Sequence, residues 1–321
     1  MLYDAFNGDA DGICALLQLR LAEPAEGELV TGVKRDIGLL ERVPAQFGDA
    51  VTALDIAVAR NREPLERLLA AGVKVRWFDH HNSGELPSHP NFEPHIDLAA
   101  DICTSLIVDR FLGGTQRPWA VVAAFGDNMP DSARQAAAPL GLDATGLDQL
   151  RELGECINYN AYGDSVADLH VSPAELYRQL YAYREPFAFI HAAPEFQTLK
   201  QGYADDLAQA LSVAPFEVKH GGAVYLLPDA AWVRRVSGAF ANALARAHPH
   251  RAHALISLGR AGQYVVSVRA PQAARQGADA LCRQFESGGG RAAAAGINAL
   301  PAAELERFIQ AFFEAYARPY P

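Results

Sequence analysis

A chain of 321 residues, half of them hydrophobic and 21% charged, is long enough for two domains with separate cores and has the profile of a soluble globular protein. Its 28 Lys and Arg against 38 Asp and Glu give a formal charge of −10, which excludes a protein that coats nucleic acid through clustered basic residues but not one that takes a small anionic substrate. No apolar run approaches the roughly 18–20 residues of a membrane span, MLYDAF carries no basic n-region of a secretory signal, and the four cysteines are scattered with no CxxC pair, so the expected setting is a reducing cytoplasm with no membrane partner.

In chain order, LYDAF reads as a strand and GICALLQLRLA as a helix, with the turn-like FNGDADG between them. ELVTGV is a second strand, LLERVPAQF a broken helical or loop stretch, AVTALDIA a strand, REPLERLLAAG a helix closed by Gly72, and VKVRWF another strand. Strands alternating with crossover helices predict a parallel sheet with helices on both faces. DLAADICTSLIVDRFLGG reads as a helix and RPWAVVAAFG as a further apolar segment. Residues 133–212 read as mostly helical, interrupted at Pro173, Pro186 and Pro194. From about residue 215 strand patterns return in AVYLLPD, AHALISLG and QYVVSVRA, the last two separated by a turn around Gly262. The fold class expected is α/β, an N-terminal parallel-sheet domain over 1–183, a helical linker over 184–214 and a smaller α+β domain over 215–321.

Acids and histidines recur at predicted strand ends: Asp9 and Asp11 after the first, Asp55 in ALDIA, Asp79, His80 and His81 after VKVRWF, and Asp127 after the apolar segment AVVAAF. Singly, each has a plain structural reading, as a turn residue, a buried histidine or a helix cap. Recurring in order, they point to one sheet edge, where parallel sheets bind ligands. Carboxylates with an imidazole there suit Mn²⁺ or Mg²⁺.

NGDADG, ALDIA, FDHH and AFGDN resemble, in order and spacing, the four motifs of the DHH phosphoesterase superfamily, and ESGGGRAAAAGI resembles the glycine-rich motif of its associated C-terminal domain. The resemblance implies two Mn²⁺ ions, with Mg²⁺ as the other candidate. Asp9 would hold one ion and Asp11 the other, Asp55 would bridge them, and His80 and Asp127 would complete the ligands of the second ion. Asp79 would orient a histidine, and His81 would meet a phosphoryl oxygen. The pattern departs from the family at Ala5 and Asn7, where members carry a further ligand to the first ion, and at Arg291, where histidine is usual.

Gly288, Gly289 and Gly290 read as an anion-binding loop before a helix formed by AAAAG, with Arg291 as a phosphate clamp and Arg269, in SVR, as a second phosphate contact. Lys34 and Arg35, after the second strand, read as a solvated turn pair, with the edge that carries the acids as the alternative place for them; Thr104 and Ser105 read as packing or capping residues, and CINYNAYG as a buried aromatic patch, with a base-stacking surface as the alternative. A cleft between the two domains, opening about residues 184–214, is the expected substrate site. The function expected is hydrolysis of phosphate esters of small nucleotides or short single-stranded oligonucleotides by a metal-dependent enzyme, with a homodimer as the candidate assembly. Polyphosphate or pyrophosphate hydrolysis, and a catalytically weak nucleotide or anion sensor, are the alternatives.

Overall fold

The computed structural model describes residues 1–219, 221–259 and 262–317. The chain forms two compact units, Met1–Gly202 and Tyr203–Pro321.

The first unit opens with β1 (Leu2–Phe6), α1 (Ala10–Ala22), β2 (Glu28–Val30), β3 (Ala50–Leu54), α2 (Arg62–Ala70), β4 (Lys74–Asp79) and β5 (Phe92–Ile96). The strands form one sheet in the order β2-β1-β3-β4-β5, and every neighbouring pair is parallel. Alternate residues point to opposite faces. Phe6, Leu54 and Phe78 join the core around α1, while Ala5, Ala53 and Trp77 join the core on the α2 side. α1 is buried on all sides along nearly its whole length, as its unbroken apolar sequence requires.

A helical layer follows: α3 (Thr104–Phe111), α4 (Arg117–Gly126), α5 (Pro130–Ala137), α6 (Ala144–Asn160), α7 (Pro173–Tyr183), α8 (Pro186–Ala192) and α9 (Pro194–Leu211). Pro173, Pro186 and Pro194 each open a helix, where a missing N–H costs nothing, and so mark starts as well as breaks. α3 begins only at Thr104, seven residues after the start expected from DLAADICTS. RPWAVVAAFG is helix α4. The edge strand β5 has no strong sequence signal because Pro94 interrupts it, and an edge is where a strand tolerates proline.

The second unit contains β6 (Glu217–Lys219), β7 (Gly222–Leu227), α10 (Ala231–Ala247), β8 (Ala252–Leu258), β9 (Tyr264–Arg269), α11 (Ala278–Cys282), β10 (Gly288–Arg291), β11 (Ala294–Leu300) and α12 (Leu305–Ala315). Its sheet runs β10-β11-β9-β8-β7-β6 and is antiparallel except for β7 and β8, which α10 connects as a crossover. The turn expected around Gly262 falls partly on residues 260 and 261, outside the described residues.

His253, in the middle of this sheet, is fully buried with neither ring nitrogen hydrogen-bonded. Burial, with His248 and Arg251 adding to it, pushes its pKa down to about 4. The unfolded chain takes up the proton near pH 6.5. Stability of this unit is therefore full above that pH and declines as the pH falls toward 4, by about 3 kcal/mol. Urea unfolding followed across that range is expected to show the decline, and His253→Leu is expected to flatten it.

Candidate metal centre

Strand register brings the site together. Phe6 pairs with Leu54 and Leu54 with Phe78, so β1, β3 and β4 end level with one another. The ladder runs one step past them: Asn7 N–H donates to Leu54 O and Asp55 N–H to Phe78 O. With strand order β2-β1-β3, the chain reverses direction across the sheet between β1 and β3, and the crevice at such a reversal is where open α/β sheets bind ligands.

NGDADG places its acids through close backbone approach rather than through a left-handed turn. A Cβ on Gly12 would meet Asn7 O at 2.2 Å, and one on Gly8 would meet Gly32 O at 1.9 Å. Asp9 caps α1, its Oδ1 accepting the N–H groups of Asp11 (3.0 Å) and Gly12 (3.1 Å). Asp11, inside the first turn of α1, caps a different helix: its two oxygens accept the Thr104 and Ser105 N–H groups that open α3, both at 2.7 Å. Thr104 Oγ1 donates to Asp55 Oδ1 at 3.0 Å, and Ser105 Oγ to Asp11 O at 2.8 Å. These two residues thus hold two of the predicted ligands in place.

Asp55 sits just past β3 in the left-handed region, at φ +58°, which turns its carboxylate into the cluster. Asp127 corrects the sequence reading, since it lies at the C-terminal end of helix α4 and not at a strand end. It reaches the cluster because α4 packs very closely on α1: a Cβ on Gly126 would meet Ala10 Cβ at 2.4 Å.

His80 Nδ1 lies 2.8 Å from Ile102 O. A carbonyl only accepts, so Nδ1 carries the proton and the Nε2 lone pair is free for a ligand. Nε2 is 3.6 Å from Asp55 Oδ1, 3.8 Å from Asp127 Oδ2 and 4.0 Å from Asp11 Oδ2. Ligand atoms of Asp11, His80 and Asp127 all lie within 4.8 Å of one another, and those of Asp55, His80 and His81 do too. His81 Nδ1 is bonded to Asp79 Oδ1 at 2.7 Å, and the other Asp79 oxygen is buried without a hydrogen-bond partner.

Lys34 takes the reading that the sequence favoured less, at the edge with the acids. It is not a solvated turn residue. Its side chain is 24% exposed, and its ammonium lies 2.5 Å from Asp9 Oδ2 and 3.3 Å from Asp127 Oδ1. Asn158, from CINYN on α6, accepts its third N–H at 3.1 Å. The signal available in the sequence was its position after β2, on the same sheet edge as the acids.

The electrostatics follow from crowding. Burial, reinforced by Asp11, Asp9, Asp79 and Asp127, holds the Asp55 carboxyl well above its usual range. Burial and Asp11 push Asp127 up to about 6, against the pull of Lys34. Burial would raise Asp9 as well, but Lys34 brings it below the usual value. A buried acid cluster of this kind is relieved by a divalent cation, and the oxygen and imidazole donors fit Mn²⁺ or Mg²⁺.

The predicted anion-binding residues lie in the second unit. Gly288, Gly289, Gly290 and Arg291 form strand β10, hairpinned to β11, so AAAAG is the hairpin turn and the start of β11 and not the expected helix. Two of these glycines have a backbone reason of their own: a Cβ on Gly288 would meet Cys282 O at 1.8 Å, and Gly290 has φ +139°. Arg291 is exposed, and Ala294 pairs with both it and Arg269. Burial and then the Arg291 charge lower the Arg269 pKa. Arg269 donates to Asn242 Oδ1 at 2.9 Å and to Ser267 Oγ at 3.0 Å.

No family model and no curated protein matches this chain in sequence. Solved structures do match it in fold. Exonuclease RecJ bound to manganese is similar over 100% of this chain and 90% of its own, at 19% identity and a TM-score of 0.64. A DHH domain from a protein described as a member of a family of ribosomal proteins is similar over 100% of this chain and 87% of its own, at 14% identity and a TM-score of 0.60. PggH, a pGpG-specific phosphodiesterase from Vibrio cholerae, is similar over 98% of this chain and 99% of its own, at 17% identity and a TM-score of 0.54. Among the described residues no helix is long and apolar enough to cross a membrane.

Proposed function

We propose that the chain is a metal-dependent phosphoesterase, with Mn²⁺ as its ion, acting on phosphate esters of small nucleotides or short oligonucleotides. The observation that carries this reading is the convergence of Asp11, Asp55, His80 and Asp127 at the β1/β3 crevice, with the His80 lone pair within 4.0 Å of all three carboxylates. When bound, a divalent ion supplies Lewis-acid polarisation of water and of the phosphoryl group. The protein's own part is positioning. Ile102 O fixes the His80 tautomer, the α3 N-terminus fixes Asp11, and Thr104 fixes Asp55. His81, 46% exposed and held by Asp79, is the group available to donate to a phosphoryl oxygen. Arg269 and Arg291 are the proposed phosphate contacts of the second unit.

The similarity to PggH over nearly the full length of both chains supports a substrate of dinucleotide size. The test is turnover by the purified chain, with Mn²⁺ and with EDTA, of bis-p-nitrophenyl phosphate, linear and cyclic dinucleotides, nucleoside bisphosphates and polyphosphate. The expected result is Mn²⁺-dependent hydrolysis of the generic diester and preference for a linear dinucleotide. Tight nucleotide binding without metal-dependent turnover would replace this reading with that of a sensor.

A further inference from the structure

The number of ions is a separate question, and it rests on the reading of this site as a metal centre. At the His80 end the donors fit one divalent ion: three carboxylates and an imidazole lone pair converge there. At the Asp9 end the fit fails, because a cation of the protein's own is already in place. Lys34 Nζ has three N–H donors and three oxygen acceptors, on Asp9, Asp127 and Asn158. The other Asp9 oxygen accepts the N–H groups of Asp11 and Gly12, just as both Asp11 oxygens accept N–H groups of α3, so it is the Lys34 charge and not this bonding that sets Asp9 apart. The Asn7 side chain accepts the Asp9 N–H and donates to Lys34 O, both at 3.3 Å. Ala5 offers no donor atom.

Lys34 is anchored along its whole length. Its backbone N–H donates to Ala161 O at 2.9 Å, its carbonyl is bonded by Asn7, and its ammonium lies 5.8 Å from the centre of the Tyr162 ring. A solvated lysine that swings in only to neutralise spare charge would need none of these contacts.

We propose that the Lys34 ammonium is a built-in cation standing in place of a second metal, so that the centre holds one divalent ion, on Asp11, Asp55, His80 and Asp127. Asp9 is then a partner of lysine rather than a metal ligand. With all three donors used on protein oxygens, Lys34 is a positioning residue that fixes and neutralises Asp9 and Asp127.

The test is metal stoichiometry, read by calorimetric Mn²⁺ titration and by low-temperature EPR, where two adjacent Mn²⁺ ions give an exchange-coupled spectrum. The wild-type chain is expected to bind one ion and to show no coupling. Lys34→Ala, and Lys34→Met as the variant that keeps the side-chain bulk, are expected to bind a second ion or to hold the first at least roughly tenfold more tightly, since a positive charge has left the cluster. Two coupled ions in the wild type would overturn the proposal while leaving the metal-centre reading intact. Unchanged stoichiometry and affinity in a folded Lys34 variant would also overturn it. No Mn²⁺ bound by the wild type would overturn both readings together.

Discussion

Asp55→Asn is expected to lower Mn²⁺-dependent phosphodiester hydrolysis by roughly 10³-fold or more, while leaving the metal-free chain at least as stable as the wild type. The two effects have one cause. Asp55 is buried among four other carboxylates, and burial with those charges holds its pKa well above the usual range. A carboxyl whose folded-state pKa is raised weakens the fold increasingly as the pH climbs above about 4, because the folded state resists losing the proton. Asparagine removes that charge at constant shape. It tolerates the left-handed conformation at φ +58° and keeps an oxygen for Thr104 Oγ1. The melting temperature in EDTA is therefore expected to be higher for the variant at pH 7, with the difference closing toward pH 4. A neutral amide is a poor ligand for a hard divalent ion, so turnover is lost even though the scaffold is intact. Asp55→Ala is expected to lose turnover to the same degree without the stability gain. A rate within tenfold of wild type in either variant would remove Asp55 from the centre.

Much of this site is legible in the sequence because a parallel sheet with level strand ends converts sequence order into spatial proximity. Asp9, Asp55 and Asp79 need only the strand pattern to be placed on one edge. What the sequence conceals depends on packing between elements distant in the chain. Asp127 reaches the site through the approach of α4 to α1 at Gly126, and AVVAAF, buried on every side, carries no periodicity to distinguish helix from strand. Lys34 looks like any basic residue beside a turn. Its role depends on Asn158, 124 positions away on α6, and on Asp127 at the end of α4. Likewise the glycine run reads as a loop because neither the Cys282 carbonyl that crowds Gly288 nor the β11 partner is visible locally.

The adjacent histidines are expected to separate cleanly in function. His80→Ala should lose Mn²⁺ affinity, because its proton is committed to Ile102 O and its lone pair faces the acids. His81→Ala should keep Mn²⁺ affinity within a few-fold of wild type and lower kcat by roughly 10²–10³-fold, the usual scale for losing a positioned donor or acid at a reacting group. Its Nδ1 is held by Asp79 at 2.7 Å and its side chain is half-exposed, so Nε2 is the atom left to meet substrate. The hydrogen bond to Asp79 is the main cause that raises the His81 pKa, with burial opposing and the charge of Asp79 adding to it. A raised histidine pKa extends the protonated, donating form to higher pH, so activity is expected to fall on the alkaline side as that proton is lost. Asp79→Asn removes the acceptor charge, and the alkaline limb of the kcat–pH profile is then expected to move to lower pH, with Mn²⁺ affinity little changed. A purely structural Asp79 would lower activity without moving that limb. If His81→Ala lost Mn²⁺ in proportion to His80→Ala, His81 would be a metal ligand and the donor to the phosphoryl group would have to be sought elsewhere.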